Sequence, residues 1–212
     1  MREEAMLWDA DGVIIDSVSS GWYTTRLVLL KMGAEVPSSE DFYDQIGNVR
    51  GFYRDRGLSE SQIEHAISMF GDLNGNGSVK IYDGISGVVE KCHEKYMQAI
   101  ASSSPLGRTE NILEANGLTK YFEYISGHRR ERRGKPHPDQ LLECLEVLKV
   151  LPSHAYLIGD MNEDIAAARS ANLAGVVAVT YGFHKLDKLE GADAYAASPR
   201  ELAKVIEGLN CR

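Results

Sequence analysis

Cysteine is scarce in this chain: Cys92, Cys144 and Cys211 are three residues in 212, and none forms a CxxC pair. An odd, scattered set argues against a disulfide framework and fits reduced thiols. A basic excess is missing too. Lys and Arg number 23 against 31 Asp and Glu, for a formal charge of −8, and the isoelectric point is near 5.3. Such a chain repels polyphosphate backbones at long range, so nucleic acid is not expected as a partner. One local positive site can still hold a small anion. No stretch approaches the roughly 20 apolar residues of a spanning helix, so no membrane insertion is expected. The opening stretch MREEAMLWDADG has acids where a secretory signal needs a basic end and an apolar run. A cytoplasmic location is therefore expected. Internal repeats and low-complexity tracts are also lacking.

What is present suits an ordinary globular chain. Apolar residues make up 43%, enough for a full core in one domain with a modest insertion. Ala5-Met6-Leu7-Trp8 is a short apolar run stopped by Asp-Ala-Asp-Gly, the pattern of a buried strand. Val13-Ile14-Ile15 reads as a brief extended continuation. From Ser17 to about Phe70 the apolar spacing is helical. Gly33 can end a helix, Ser38 or Ser39 can start the next, and Ser59 with Gln62 forms a capping-box pattern. Gly71 to Gly77 reads as a polar linker. Beyond it strands and helices alternate. Strands are expected at 97–101, 124–126, 155–158 and 176–180, with a weak edge strand at 194–196. Helices are expected near 85–95, 107–116, 139–149, 162–171 and 200–208, the last started by Ser198-Pro199-Arg200-Glu201. This alternation predicts an α/β fold: a doubly wound, Rossmann-like parallel sheet with an inserted α-helical cap. The expected division is 1–16 with 83–212 as the catalytic core and 17–82 as the cap.

Open parallel sheets bind ligands at the carboxyl ends of their strands. Asp9, Asp11 and Gly12 follow the first strand. Ser102, Ser103 and Ser104 follow 97–101, Lys135 precedes the helix at 139–149, and Asp160 and Asp164 follow 155–158. If these converge, carboxylates a few ångströms apart repel unless a cation resolves the conflict. An all-oxygen ligand set favours Mg²⁺. Lys135 can neutralise phosphate oxygens, and Ser102 with the amide of Ser103 can donate to them. Asp9 is left as a group able to strike phosphorus. Asp11 can protonate a leaving oxygen and later take a proton from water.

The same residues resemble the motifs of the haloacid dehalogenase superfamily, in particular its phosphatases with a helical cap. Asp9-Ala10-Asp11-Gly12-Val13 with Asp16-Ser17 is similar to the first motif, and Ile100-Ala101-Ser102-Ser103-Ser104 to the second. Gly134-Lys135-Pro136-His137-Pro138 resembles the third, and Gly159-Asp160 through Asp164 the fourth. The resemblance covers nearly the whole chain. It implies Asp9 as nucleophile and metal ligand, and Asp11 as acid/base with its backbone carbonyl on the metal. Asp160 is implied as a ligand, with Asp164 directly on the metal or supporting it. It also implies a cap that excludes water and chooses the substrate. Dehalogenating members lack an acid at the position of Asp11, so the resemblance points to phosphoryl transfer. Tyr121-Phe122, Lys135 to Pro138 and Val179 to Gly182 look most like phosphoglycolate phosphatases, which implies a small anionic phosphate ester such as 2-phosphoglycolate as substrate. A sugar-phosphate mutase of the same family is the alternative. Such mutases tend to carry a histidine early in the cap, where this chain has Gly21-Trp22-Tyr23. Monomer and homodimer both stay open.

Several residues carry two readings. Arg50, after Gly47-Asn48-Val49, can grip a substrate anion bidentately or sit on the surface. Asp16 caps a helix or shapes a hinge. Ser104 and His137 read as turn residues. The run His128 to Arg133 is a solvated loop or a source of one anion-binding arginine. Asp72 to Asp83 mimics a calcium loop, with glycine at its sixth position but Asp83 where a longer Glu is usual. The plainer account is a linker rich in turn residues. A non-catalytic calcium- or partner-binding protein on the same fold rests on that loop alone.

Overall fold

A computed structural model describes residues 2–45, 48–75 and 79–209. The strands of the described residues are β1 (Ala5–Trp8), β2 (Met97–Ala101), β3 (Tyr124–Ser126), β4 (Ala155–Gly159), β5 (Gly175–Val179) and β6 (Ala194–Ala196). They form one sheet in the order β3-β2-β1-β4-β5-β6, and every pair is parallel. The order reverses direction at β1, so a crevice opens beside its carboxyl end, between β1 and β4.

Helices α1 (Ser17–Met32), α2 (Ser39–Asp44), α3 (Val49–Arg54) and α4 (Glu60–Gly75) come before β2. The later helices are α5 (Ile85–Lys95), α6 (Leu106–Ala115), α7 (Asp139–Leu148), α8 (Asn162–Ser170) and α9 (Pro199–Glu207). Both faces of the sheet are covered, so its strands read as continuous apolar runs. Ala5, Leu7, Ala99, Leu157 and Val176 share one core with Leu141, Leu145 and Leu148 of α7 and Ile165 of α8. On the opposite face the Trp8 indole donates to Gln98 Oε1 at 2.9 Å, and the Gln98 amide donates to Val89 O of α5 at 3.0 Å. These bonds satisfy the buried polar atoms of that layer.

The chain divides into two compact units, Met1–Asp16 with Lys80–Arg212, and Ser17–Val79. The first unit begins again at Lys80 rather than at 83 because backbone bonds already hold that stretch. Asp16 N–H donates to Lys80 O at 2.8 Å and Tyr82 N–H to Ile14 O at 3.0 Å, and Ile15 bridges Ile81. The second unit has its own core around Val28, Leu29, Phe52, Tyr53, Leu58, Ile63 and Ala66. Gly33, at φ +67°, follows the end of α1.

The expected linker from Gly71 to Gly77 is a correction. Helix α4 runs on to Gly75, because Phe70 and Leu73 pack on the second unit's core. Tertiary packing outweighs the weak helix propensity of Gly71 and Asn74. The first four positions of the calcium-loop resemblance are thereby helical, and Asn76, Gly77 and Ser78 lie outside the described residues, as do Gly47 and Cys211. Cys92 and Cys144 are free and buried. Among the described residues no helix is long and apolar enough to cross a membrane.

Candidate active site

Three neighbouring strands end in the residues of interest. Asp9 follows β1, Ser102 follows β2 and Asp160 follows β4, and β1 lies between the other two. Asp9, Ser102, Asp160 and Asp164 are all buried. Oxygens of Asp9, Asp160 and Asp164 lie within 4.8 Å of one another.

Lys135 enters this cluster, its side chain only 4% exposed, with Nζ 2.9 Å from Asp9 Oδ1 and 2.6 Å from Asp164 Oδ1. Both oxygens of Asp164 have partners. Its other oxygen accepts the amides of Asp160 at 3.1 Å and Met161 at 3.0 Å, tying the end of β4 to the first turn of α8. Asp160 Oδ2 accepts the Phe183 amide at 2.7 Å, whereas Asp160 Oδ1 is buried with no hydrogen-bond partner among the described residues.

Two glycines make room for Asp160. Gly12 sits at φ +82°, and a Cβ there would collide with the Asp160 carboxylate; a Cβ on Gly182 would stand 2.5 Å from Asp160 Cβ. The loop after β5 and the first-motif turn therefore both lie against this aspartate.

The electrostatics follow from burial. Desolvation pushes Asp9 up to about 7, against the pull of Lys135 and with the charges of Asp164 and Asp11 adding to the rise. Burial also drives Asp160 well above the ordinary carboxylate range, helped by the charges of Asp9 and Asp164. For Lys135 burial disfavours the ammonium, but Asp164 and Asp9 outweigh it and raise its pKa. One buried ammonium thus faces three buried acids. A cluster with this surplus of negative charge, an orphaned oxygen on Asp160 and only hard oxygen donors fits a divalent cation such as Mg²⁺.

Asp11 is held differently. Its two oxygens accept from Arg108 Nη1 at 2.9 and 3.0 Å, and its Oδ2 also accepts from the Ser104 hydroxyl at 2.6 Å. Ser102 Oγ accepts the Ser104 amide at 3.0 Å and lies 3.4 Å from the Thr109 hydroxyl. With those donors on its lone pairs, the hydroxyl proton of Ser102 is left to give away. Ser103 is exposed beside it.

Arg108, in the first turn of α6, was not singled out by the sequence. Ser104 read as a turn residue and in addition binds Asp11. Arg50 lies in the second unit, half exposed, paired with Glu60 at 3.3 Å and with Glu64. In the basic run, Arg132 donates to Ser126 Oγ at 2.7 Å and Glu143 at 2.6 Å, and Arg133 pairs with Asp139 at 2.8 Å. Those arginines fasten the loop that leads to Lys135.

The chain is similar to known proteins. The family model described as haloacid dehalogenase-like hydrolase matches residues 6–179. A phosphoglycolate phosphatase of Vibrio parahaemolyticus is 27% identical, covering 94% of each chain. A Caldanaerobacter subterraneus protein bearing the name pyrophosphatase PpaX is 29% identical, over 98% of this chain and 96% of its own. A solved haloacid dehalogenase-like hydrolase from Streptococcus pneumoniae superposes with a TM-score of 0.83 at 21% identity, covering 95% of this chain and 97% of that one.

Proposed function

This chain belongs to the haloacid dehalogenase-like hydrolases and is a phosphatase; from that premise we propose that it is a Mg²⁺-dependent phosphomonoesterase working through an aspartyl-phosphate on Asp9. The observation that carries the proposal is Lys135 bridging Asp9 and Asp164 beside a buried Asp160 oxygen that has no partner among the described residues.

Asp9, Asp160 and the backbone carbonyl of Asp11 would hold the cation. Asp164, whose oxygens already serve Lys135 and two amides, would steady the set or add a ligand. When bound, Mg²⁺ supplies positive charge that keeps the carboxylates ionised and draws in a phosphate oxygen. The rest is done by the chain's own groups. Lys135 neutralises a further phosphoryl oxygen, and the Ser102 hydroxyl and Ser103 amide donate to others. Asp9 attacks phosphorus in line, while Asp11 gives its proton to the leaving alkoxide. Asp11 then takes a proton from water as that water hydrolyses the acyl-phosphate and frees Asp9.

For the substrate we propose a small anionic metabolite, with 2-phosphoglycolate first. The name of the Vibrio relative supports this choice, and the pyrophosphatase name makes pyrophosphate the comparison to include. Arg50 remains our candidate for a substrate anion, in exchange for its pairing with Glu60 and Glu64. The test is a panel of phosphoglycolate, pyrophosphate, hexose phosphates and p-nitrophenyl phosphate, run with Mg²⁺ and with chelator. Phosphoglycolate should be hydrolysed fastest, chelator should stop turnover, and Asp9→Asn should reduce it to background. An Asp9→Asn protein that keeps its activity sinks the mechanism. Phosphoglycolate left intact while another ester is consumed sinks the substrate alone.

A further inference from the structure

The contacts around Asp11 carry an inference that rests on the reading above and deepens it. We infer that Arg108 is a positioning residue for the acid/base: with Ser104 it fixes the Asp11 carboxylate and leaves Oδ1 as the oxygen that carries the transferred proton.

Asp11 stands in the loop after β1, and donors to its carboxylate come from the segment that follows β2. The restraint comes from the first turn of α6. Arg108 N–H donates to Pro105 O at 3.1 Å, which sets the residue on that turn. Its Nη1 then reaches both Asp11 oxygens at 2.9 and 3.0 Å and Ser104 Oγ at 3.2 Å. Ser104 closes the triangle through its hydroxyl on Asp11 Oδ2 at 2.6 Å. The triangle is tied to the second motif, since the Ser104 amide donates to Ser102 Oγ at 3.0 Å. One turn therefore orients both the proposed phosphate donor and the proposed acid.

Each carboxylate oxygen has two lone pairs. Oδ2 spends both, on Arg108 and Ser104. Oδ1 spends one, on Arg108, and keeps the other for a proton. Guanidinium suits this task because it does not deprotonate in proteins, so it restrains the carboxylate without competing as an acid. The pair is also sheltered, with Arg108 and Asp11 side chains 21% and 19% exposed. The plain rival is a surface ion pair with little effect on either chemistry or stability.

Leaving-group dependence separates the two. An alkoxide needs its proton in the transition state, whereas a dinitrophenolate leaves without one. Values of kcat/KM report the phosphoryl transfer to Asp9 and are not affected by the later hydrolysis step. Arg108→Gln should lose about 10²-fold in kcat/KM on the best alkyl ester of the panel. It should stay within about threefold of wild type on 2,4-dinitrophenyl phosphate. Arg108→Lys should recover part of the loss, and Ser104→Ala should show the same selectivity to a smaller degree. Adding Arg108→Gln to Asp11→Asn should cost nothing further, because residues acting as one unit are not additive. Retained turnover of the aryl ester shows that each variant folds. Equal losses on both esters, or losses that add to those of Asp11→Asn, overturn the assignment while leaving the phosphatase reading intact. A wild-type enzyme inert toward both esters removes the reading itself and this inference with it.

Discussion

The Asp160 carboxylate has almost no freedom: one oxygen accepts the Phe183 amide, the other is buried, and glycines stand at 12 and 182 where any side chain would strike it. Gly182 is the sharper probe of the two, because Gly12 also sits at positive φ and would add backbone strain on substitution. Gly182→Ala should displace Asp160 while leaving the sheet alone. The apparent Mg²⁺ affinity should fall about 10- to 100-fold, the scale seen when the support of a metal ligand is disturbed. A Mg²⁺ titration of turnover measures it, and an unchanged midpoint refutes the cradle. At this scale the sequence was informative where chemistry follows a strand directly. Asp9, Ser102 and Asp160 are each the first residue past a strand end, so topology alone brings them together. It was silent on the pairing of Arg108 with Asp11, which are 97 positions apart. Their pairing depends on the direction of a helix turn that no local pattern encodes.

Elements were legible for the same reason, and their ends were set by local chemistry. Ser198 accepts the Glu201 amide at 3.2 Å ahead of α9, with Pro199 at the first helical position. Ser38 and Asp41 form a full capping box on α2, and Gln62 accepts the Ser59 amide at 2.9 Å ahead of α4. Each of these starts could be read from three or four adjacent residues. The far end of α4 could not, because it is held by packing on the second unit's core rather than by its own composition. Helix α9 sits over the sheet's far edge, beside β6 and α5, so its cap supports the fold and has no part in the chemistry. Ser198→Ala should cost about 1 kcal/mol, a fall in Tm of roughly 2–4 °C for a chain of this size, with kcat/KM unchanged. A loss of activity without loss of stability contradicts that separation.

Across the whole molecule the buried acids make stability, protonation and cation binding one problem. In the cation-free protein, burial holds Asp9 at about 7 and Asp160 well above its ordinary range. The unfolded chain ionises these groups near pH 3.9. Between that value and about 7 the folded state therefore binds more protons than the unfolded one. Stability then falls as pH rises, since its slope follows the protons bound by the unfolded state minus those bound by the folded state. Lys135 does not reverse the trend, because its pKa is raised and its ammonium stays charged throughout this window. A bound divalent cation holds the same carboxylates ionised, so binding must expel protons and must tighten as pH rises. Thermal unfolding between pH 5 and 7.5, with chelator and with saturating Mg²⁺, is the direct measurement. The chelated protein should lose stability toward pH 7.5 relative to the Mg²⁺ form. Calorimetry in buffers of different ionisation heat should show proton release on Mg²⁺ binding at pH 6 that shrinks by pH 8. Two parallel stability curves with no proton release would mean that the acids are already ionised without the cation, and that burial does not control this site.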